Sequence, residues 1–545
     1  MSKNIPIDRK YDNFFPYEEQ RNSQSVAIEF ALEEFLNNNK KFVIIEAGTG
    51  VGKSAIGLTI ARYINAHLNS PEFNDGAYFL TTQKILQEQY MKDFGSPGAM
   101  RSIKSSANYT CKFNKNNTCA DSLRALKVAE KNSQFFRSCA FGCVYKRAKE
   151  DFINSSEGVT NFSYFLAETQ YAGKLQPRKL LVIDEAHNCD LELSKFIEIA
   201  ITERFSGQVL KLPMPEIKSQ AQAFKWVKEI YEPKLVRHLK HVESMMEKYV
   251  GLREKIKDFS LIAKKYETLD KHACKLHRFL KIYDKDNWIL NIAEAEGRAG
   301  KRLEFKPVDV SPYSDEMLFR MGDKVIMMSA TILDKDGFCQ LLGIPKEHVS
   351  FISIPSPFPP KNKPILFSSV GSMSASKIDG TLPILVKAIK EILKEHRNEK
   401  GIIHCHSYKV AHFIRKNIKS NRIIFHDSTN REKMLDKHIK SKRPTVLVSP
   451  SMTEGVDLKD DTSRFQVICK VPYPYLGDKL VKKRMYKWRW WYPLQTAKSI
   501  VQSVGRSIRS ADDHAVTYIL DDDWSRFFAK NKHMFPEDFK KSIIG

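Results

Sequence analysis

A glycine-rich loop, a lysine and two adjacent carboxylates are the residues of this chain whose types and spacing could do chemistry. The stretch Ala47-Gly48-Thr49-Gly50-Val51-Gly52-Lys53-Ser54 follows an apolar run, Phe42 to Glu46, and opens a helical stretch. Glycines at such a turn let backbone N–H groups close on phosphate oxygens, Lys53 brings a positive charge to the β- and γ-phosphates, and Ser54 offers a hydroxyl to Mg²⁺. The start of the following helix adds its dipole to the anion site. Further on, Leu181-Val182-Ile183-Asp184-Glu185-Ala186-His187 carries an apolar strand into two carboxylates. Asp184 is suited to holding Mg²⁺, directly or through water, and Glu185 to orienting and deprotonating the attacking water. Each motif alone could be a surface turn; in this order they describe a site that binds and hydrolyses a nucleoside triphosphate.

Cys111, Cys119, Cys139 and Cys143 lie between these two motifs, separated by seven, nineteen and three residues. Four thiolates suit a tetrahedral zinc or a [4Fe–4S] cluster, and spacing does not decide between them. The remaining Cys189, Cys274, Cys339, Cys405 and Cys469 are scattered and read as small buried apolar residues.

The elements that must hold these groups are legible as alternation. Apolar strand-like runs occur at Ala77–Thr82, Leu180–Asp184, Val325–Ser329, Gly401–Cys405, Thr445–Ser449, Phe465–Val471 and Ala515–Leu520, with helical stretches between most of them. That pattern predicts parallel α/β units. Two regions depart from it: residues 101–150, rich in Cys, Lys and Asn, and residues 190–300, nearly all helical in pattern. Pro-rich Ile354–Pro364 reads as a linker. With 545 residues, several domains are expected. Lys and Arg number 88 against 64 Asp and Glu, a net charge of +24. Such a surplus makes a polyanion a natural partner, although a Lys-rich solvated surface would look the same. No apolar run is long enough to span a bilayer and the N-terminus lacks a signal-peptide core, so a soluble cytoplasmic protein is expected, with no membrane partner.

The Asp-Glu-Ala-His box resembles that of superfamily 2 helicases, and further motifs of that superfamily follow in order. Ser329-Ala330-Thr331 resembles the element linking hydrolysis to nucleic-acid contact, and Ser451-Met452-Thr453-Glu454-Gly455-Val456-Asp457 the fifth motif. Gln502-Ser503-Val504-Gly505-Arg506-Ser507-Ile508-Arg509 resembles the sixth. Within that superfamily the chain resembles the XPD/DinG-like iron–sulfur DNA helicases, which insert a four-cysteine domain at this place. Asn108-Tyr109-Thr110-Cys111, Cys143-Val144-Tyr145 and Thr160-Asn161-Phe162-Ser163-Tyr164 are similar to that family locally, as is Phe305-Lys306-Pro307-Val308-Asp309-Val310.

The resemblance implies two RecA-like parallel-sheet lobes, lobe one carrying an iron–sulfur insertion and a helical arch. The boundaries are 1–100, 151–189 and 301–360 for lobe one, 101–150 for the cluster domain, 190–300 for the arch and 365–545 for lobe two. It implies ATP, Mg²⁺ and a [4Fe–4S] cluster on Cys111, Cys119, Cys139 and Cys143. Arg506 and Arg509 become arginine fingers that neutralise γ-phosphoryl charge when the lobes close, and Gln502 positions water. Glu454, Gly455 and Asp457 join the ATP site, and Gln24 of Arg21-Asn22-Ser23-Gln24 reads adenine, with Gln20 as a rival. Single-strand tracking needs cations along phosphates and rings against bases. The candidates are Thr82, Gln83 and Gln87 in lobe one, and His406, Ser407, Tyr408, Tyr473 and Tyr475 in lobe two. The basic-aromatic run Lys482–Tyr492 either lies on that path or packs its tryptophans inside lobe two.

The activity so implied is ATP-driven, 5′→3′ translocation on single-stranded DNA with duplex unwinding, by a monomer acting on single-stranded and forked DNA beside repair or replication proteins. Three alternatives stand against it: a DNA-stimulated translocase or remodeller that does not unwind, an ATP-switched repair scaffold, and an RNA helicase, since superfamily 2 motifs alone do not fix the sugar. The compact, Lys/Asn-rich chain suggests a bacterial or viral source.

Overall fold

The computed structural model describes residues 10–95, 99–126, 129, 131–249, 256–295, 300–427, 429–450, 458, 460–505, 508 and 513–544. Its strands are β1 (Phe42–Ala47), β2 (Asn74–Thr81), β3 (Met100–Ser102), β4 (Glu157–Asn161), β5 (Arg178–Asp184), β6 (Ile199–Thr202), β7 (Trp288–Ala295), β8 (Gly300–Pro307), β9 (Gly322–Ser329) and β10 (Val349–Ile354). These are followed by β11 (Ile365–Phe367), β12 (Gly401–His404), β13 (Ile423–Phe425), β14 (Val446–Ser449), β15 (Phe465–Ile468), β16 (Val516–Ile519) and β17 (Ile543–Ile544).

They form two seven-stranded sheets, ordered β10-β1-β9-β5-β2-β4-β3 and β13-β14-β12-β15-β16-β11-β17, with every pairing parallel. A parallel sheet needs helices on both faces, so its strands are apolar at successive positions rather than alternate ones. In β5, Leu180 and Val182 enter one core and Leu181 and Ile183 the other, and β1 divides Val43 and Ile45 from Phe42 and Ile44 in the same way. This is the expected α/β, two-lobe RecA-like architecture. The register sets Glu46 beside Ser329 and Asp184 beside Met328, so the C-terminal ends of β1, β9 and β5 form one row.

Between the motifs, Cys119–Leu126, Gln134–Phe141 and Val144–Asn154 are short helices. Residues 190–300 are less helical than their composition suggests. Helices Glu232–Tyr249 and Ile256–Ile282 pack on each other, but β6, β8 and β7 form an antiparallel sheet beside them. Its signal is a period of two: Leu290 pairs across to Phe305, and both lie in the core with Trp288 and Leu303, alternating with Asn291, Glu304 and Lys306. The charged alternate residues hide that period among Lys- and Glu-rich helices. Cys274 departs from the reading of the lone cysteines as buried: it is exposed on the long helix, whereas Cys189, Cys339, Cys405 and Cys469 are buried. Among the described residues no helix is long and apolar enough to cross a membrane.

Candidate nucleotide site and nucleic-acid track

The glycine-rich loop turns tightly because Gly50 and Gly52 take φ values of 87° and 89°, which side chains rarely adopt. Its surroundings also exclude side chains. A Cβ on Gly48 would meet the Ser356 backbone at 2.7 Å, and one on Gly50 the Phe358 ring at 2.1 Å. The linker after β10 thus folds back over the loop: Gly48 N–H donates to Ile354 O (3.1 Å), and the Ser356 hydroxyl to Thr49 O (3.1 Å). Lys53 and Ser54 open the helix Lys53–His67. Gln24 is buried, its Oε1 accepting from Arg21 N (2.9 Å) and its Nε2 facing Gly52, while Arg21's guanidinium donates to Gly50 O. Gln20 instead accepts from the Ser25 hydroxyl (3.0 Å).

Asp184 ends β5 almost wholly buried. Burial pushes its carboxyl up to about 6, helped by the neighbouring Glu185 charge and opposed by Lys53, the Glu185 amide and Tyr90. Tyr90, fully enclosed, donates its hydroxyl to Asp184 Oδ2 (3.1 Å) and is hydrogen-bonded to Ser54, so it spans the two groups assigned to Mg²⁺. Glu185 has φ 50°, a left-handed conformation for a non-glycine residue, which turns its carboxylate out of the strand direction.

His187 is the hub between lobes. Its Nδ1 lies 2.7 Å from Ser329 Oγ and 3.3 Å from Glu185 Oε2, while Gln502 of lobe two donates its amide N–H to His187 Nε2 (2.8 Å). That donation makes Nε2 the acceptor and leaves the imidazole proton on Nδ1, facing Ser329 and Glu185. Gln502 also donates to Thr331 Oγ1 (3.2 Å), and Thr331 N–H to Ser329 Oγ (3.1 Å). Three motifs distant in sequence therefore share one polar network. Arg506, Arg509, Glu454, Gly455 and Asp457 lie outside the described residues. Glu46 closes the floor: buried, with its carboxyl raised by desolvation, it accepts from Leu333 N–H (2.6 Å) and Ser353 Oγ (3.0 Å). Sequence reasoning did not single out Glu46, Tyr90, Ser356 or Phe358. Their only local signals were a carboxylate inside an apolar strand and a Pro-Ser-Pro-Phe-Pro-Pro stretch.

Cys111, Cys119, Cys139 and Cys143 are all buried and none is in a disulfide. An antiparallel bridge, Thr110 to Thr118, returns the chain so that Cys111 N–H donates to Asn117 O (2.9 Å) and Cys119 N–H to Tyr109 O (2.7 Å). Burial raises the Cys139 thiol to about 11, reinforced by the other three thiols, and raises Cys119, which is hydrogen-bonded to Cys143. Burial acts on Cys111 too, but the Ser122 hydroxyl and the Asn114 and Phe113 amides outweigh it and hold the thiol low. The thiols thus lie near one another, and those of Cys111 and Cys119 receive backbone N–H donors, as cluster thiolates do. Among the described residues, however, no three metal-ligating side chains are drawn close enough to hold an ion.

The track candidates divide. Thr82 and Gln83 lie half-buried ahead of the helix Lys84–Phe94, but Gln87 is internal and donates to Ser102 Oγ (2.7 Å) and Ile103 O (2.8 Å), so it is unavailable to a ligand. Ser407 caps the helix Tyr408–Asn417, and Tyr408 is exposed. His406 takes φ 48° and stacks on His404, its pKa lowered by burial to about 3. Tyr473 stacks on Tyr492 at 5.9 Å with an exposed edge, and Tyr475 stands free of the surface. In Lys482–Tyr492 the tryptophans do not pack inside lobe two alone: Trp488 and Trp491 pack on Leu341 of the 301–360 segment of lobe one, while Lys482, Lys483 and Tyr486 remain exposed.

Comparison with known proteins agrees with this layout. A family model described as a helicase C-terminal domain matches residues 389–542, and one described as the res subunit of type III restriction enzymes matches residues 18–210. The ATP-dependent DNA helicase YoaA of Haemophilus influenzae is 22% identical, covering 93% of this chain and 90% of its own length. The ATP-dependent DNA helicase DinG of Photobacterium profundum is 26% identical over 40% of this chain and 34% of its own. Among solved structures, an XPD helicase superposes with a TM-score of 0.62 at 15% identity, covering 95% of this chain and 99% of that one. Xpd4 of S. tokodaii gives 0.58 at 16%, covering 96% and 99%.

Proposed function

We propose that the chain is an XPD/DinG-like superfamily 2 helicase, an ATP-dependent DNA helicase that moves 5′→3′ on single-stranded DNA and unwinds duplex ahead of it. The observation that carries this reading is the network joining Glu185, His187, Ser329 and Thr331 of one lobe to Gln502 of the other. A hydrolytic carboxylate linked by hydrogen bonds to the facing lobe is what a motor needs if turnover is to change the distance between its grips.

ATP binds at the glycine loop, with Gln24 at the adenine and Lys53 on the β/γ-phosphates. Ser54 and Asp184 would hold Mg²⁺, which supplies charge neutralisation at those phosphates. Glu185 takes the proton from the attacking water, and Gln502 with Arg506 and Arg509 completes the site when the lobes close. Glu454, Gly455 and Asp457 complete the site from the fifth motif. Thr82, Gln83, Ser407, Tyr408 and Tyr473 grip the strand alternately. Residues 101–150 form a cluster domain on Cys111, Cys119, Cys139 and Cys143, supported by the facing buried thiols. Bound there, a [4Fe–4S] cluster supplies a cross-link for a small domain with little core of its own. The salt bridge Arg124–Glu267 (3.1 Å) ties this domain to the arch, residues 190–300.

The test is unwinding of 5′-tailed and 3′-tailed duplexes by anaerobically purified protein, with iron and zinc measured in the same sample. Unwinding of the 5′-tailed substrate with about four irons per chain is expected. Zinc in place of iron, or a 3′-tail preference, refutes the proposal. Cys111→Ser should lose the iron while retaining ATP binding.

A further inference from the structure

Gln502 is not the only side chain of lobe two that reaches the turn after the Asp-Glu-Ala-His box. The helix Lys479–Lys487 presents three cations to the other side of the molecule. Arg484 is buried, its Nη1 donating to Asp190 Oδ2 (3.0 Å) and its Nε to Val308 O (2.9 Å). One turn later, Lys487 Nζ lies 2.6 Å from Asp309 Oδ2, and at the helix start Lys479 Nζ donates to Leu290 O (3.3 Å).

Besides Leu290 of β7, the acceptors have two addresses. Asp190 follows His187 by three residues, in the first turn of the helix Cys189–Ile197. Val308 and Asp309 are the chain's return from the arch, and Asn287 binds them on both edges: Val308 N–H donates to Asn287 O (2.8 Å) and Asp309 N–H to Asn287 Oδ1 (2.9 Å). Asn287 lies between the long arch helix, Ile256–Ile282, and β7. A guanidinium donates from fixed directions on a broad planar fork, so Arg484 can reach a carboxylate with one nitrogen and a carbonyl with another, a span that the point-like ammonium of lysine lacks. The Trp491 ring lies 5.6 Å from the guanidinium carbon, and the side chains of Arg484 and Asp190 are only 6% and 13% exposed.

We infer that Arg484 is a positioning residue of the motor, which clamps lobe two at once to the turn bearing the hydrolytic residues and to the root of the arch. Lobe two then holds the turn His187–Asp190 at both ends, through Gln502 and through Arg484, and any movement of lobe two is delivered to the arch through Val308 and Asp309. The inference rests on the ATP-driven reading above, and it adds that arch position follows lobe closure chiefly through Arg484, the buried cation of this helix that holds both Asp190 and Val308.

The test uses the full chain with Arg484→Met, Arg484→Lys and Asp190→Asn, and dyes attached through unnatural residues at exposed Ser244 on the arch and Ser420 on lobe two. In the wild type, a non-hydrolysable ATP analogue should shift the dye-to-dye distance. Arg484→Met and Asp190→Asn should abolish the shift and lower the DNA-stimulated kcat on the order of tenfold with KM for ATP nearly unchanged, while Arg484→Lys restores part of both. The double variant should cost no more than the worse single one, because the two residues act as a unit. Additive losses, or a nucleotide-dependent distance change that survives in folded Arg484→Met protein, overturn the inference. A wild type without DNA-stimulated turnover would refute the motor reading instead, and the distance measurement would still decide whether Arg484 carries arch movement.

Discussion

Asp184 should make the nucleotide-free protein less stable than it need be, and Asp184→Asn should reveal by how much. Its carboxyl is raised from 3.8 to about 6 by burial and by the Glu185 charge. A carboxyl raised on folding is ionised in the native state at a cost. That cost is absent well below pH 4, grows as pH rises from about 4 to 6, and is complete above. Two pKa units correspond to at most about 3 kcal/mol. Asparagine is nearly isosteric and its carbonyl oxygen can still accept from the Tyr90 hydroxyl, so removing the charge should stabilise lobe one by up to about 3 kcal/mol at pH 7.5 and by less than about 1 kcal/mol at pH 4. Guanidinium denaturation of both proteins at several pH values, without Mg²⁺ or nucleotide, reads the difference directly. ATP hydrolysis by the variant should be lost. A variant no more stable than wild type at pH 7.5, or one whose advantage does not shrink toward pH 4, would refute the argument that this carboxylate is held ionised against burial.

Gly50→Ala should abolish ATP binding and destabilise the fold by roughly 2 kcal/mol or more, because it strains a φ of 87° and drives a methyl into the Phe358 ring; isothermal titration and thermal melts check it. Gln502→Ala should lower kcat on the order of tenfold with ATP affinity retained, and adding His187→Ala should cost little more, since both break one network. Arg422 donates to four carbonyl oxygens, those of Pro444, Leu393, His396 and Glu399, at 2.7, 2.9, 2.7 and 2.8 Å. Arg422→Met should therefore destabilise lobe two by about 2–4 kcal/mol, seen in its denaturation midpoint, without changing ATP affinity.

The geometry of the candidate nucleotide site was legible in the chain because it is local. Eight consecutive residues, Ala47–Ser54, form the glycine-rich turn proposed to cradle phosphate, and Asp184 and Glu185 are adjacent, so the arrangement is already implied by strand, turn and helix start. The parallel sheets were legible for a related reason: a strand buried on both faces must be apolar at successive positions, as in Val43–Ile45 and Leu180–Ile183. The sheet β6-β8-β7 was not, because its exposed face carries the same Lys and Glu residues as the helices around it.

What tertiary structure alone decided is which distant residues meet. Gln87 looked like a strand contact and is an internal brace. Tyr90, which no motif marks, reaches both Asp184 and Ser54. Phe358 crosses from the linker to cover Gly50, and Arg484 finds Asp190 across 294 positions of chain. A pairing of that kind leaves no periodicity or spacing to read, because its partners are brought together only after two separate sheets have formed and their helices have packed.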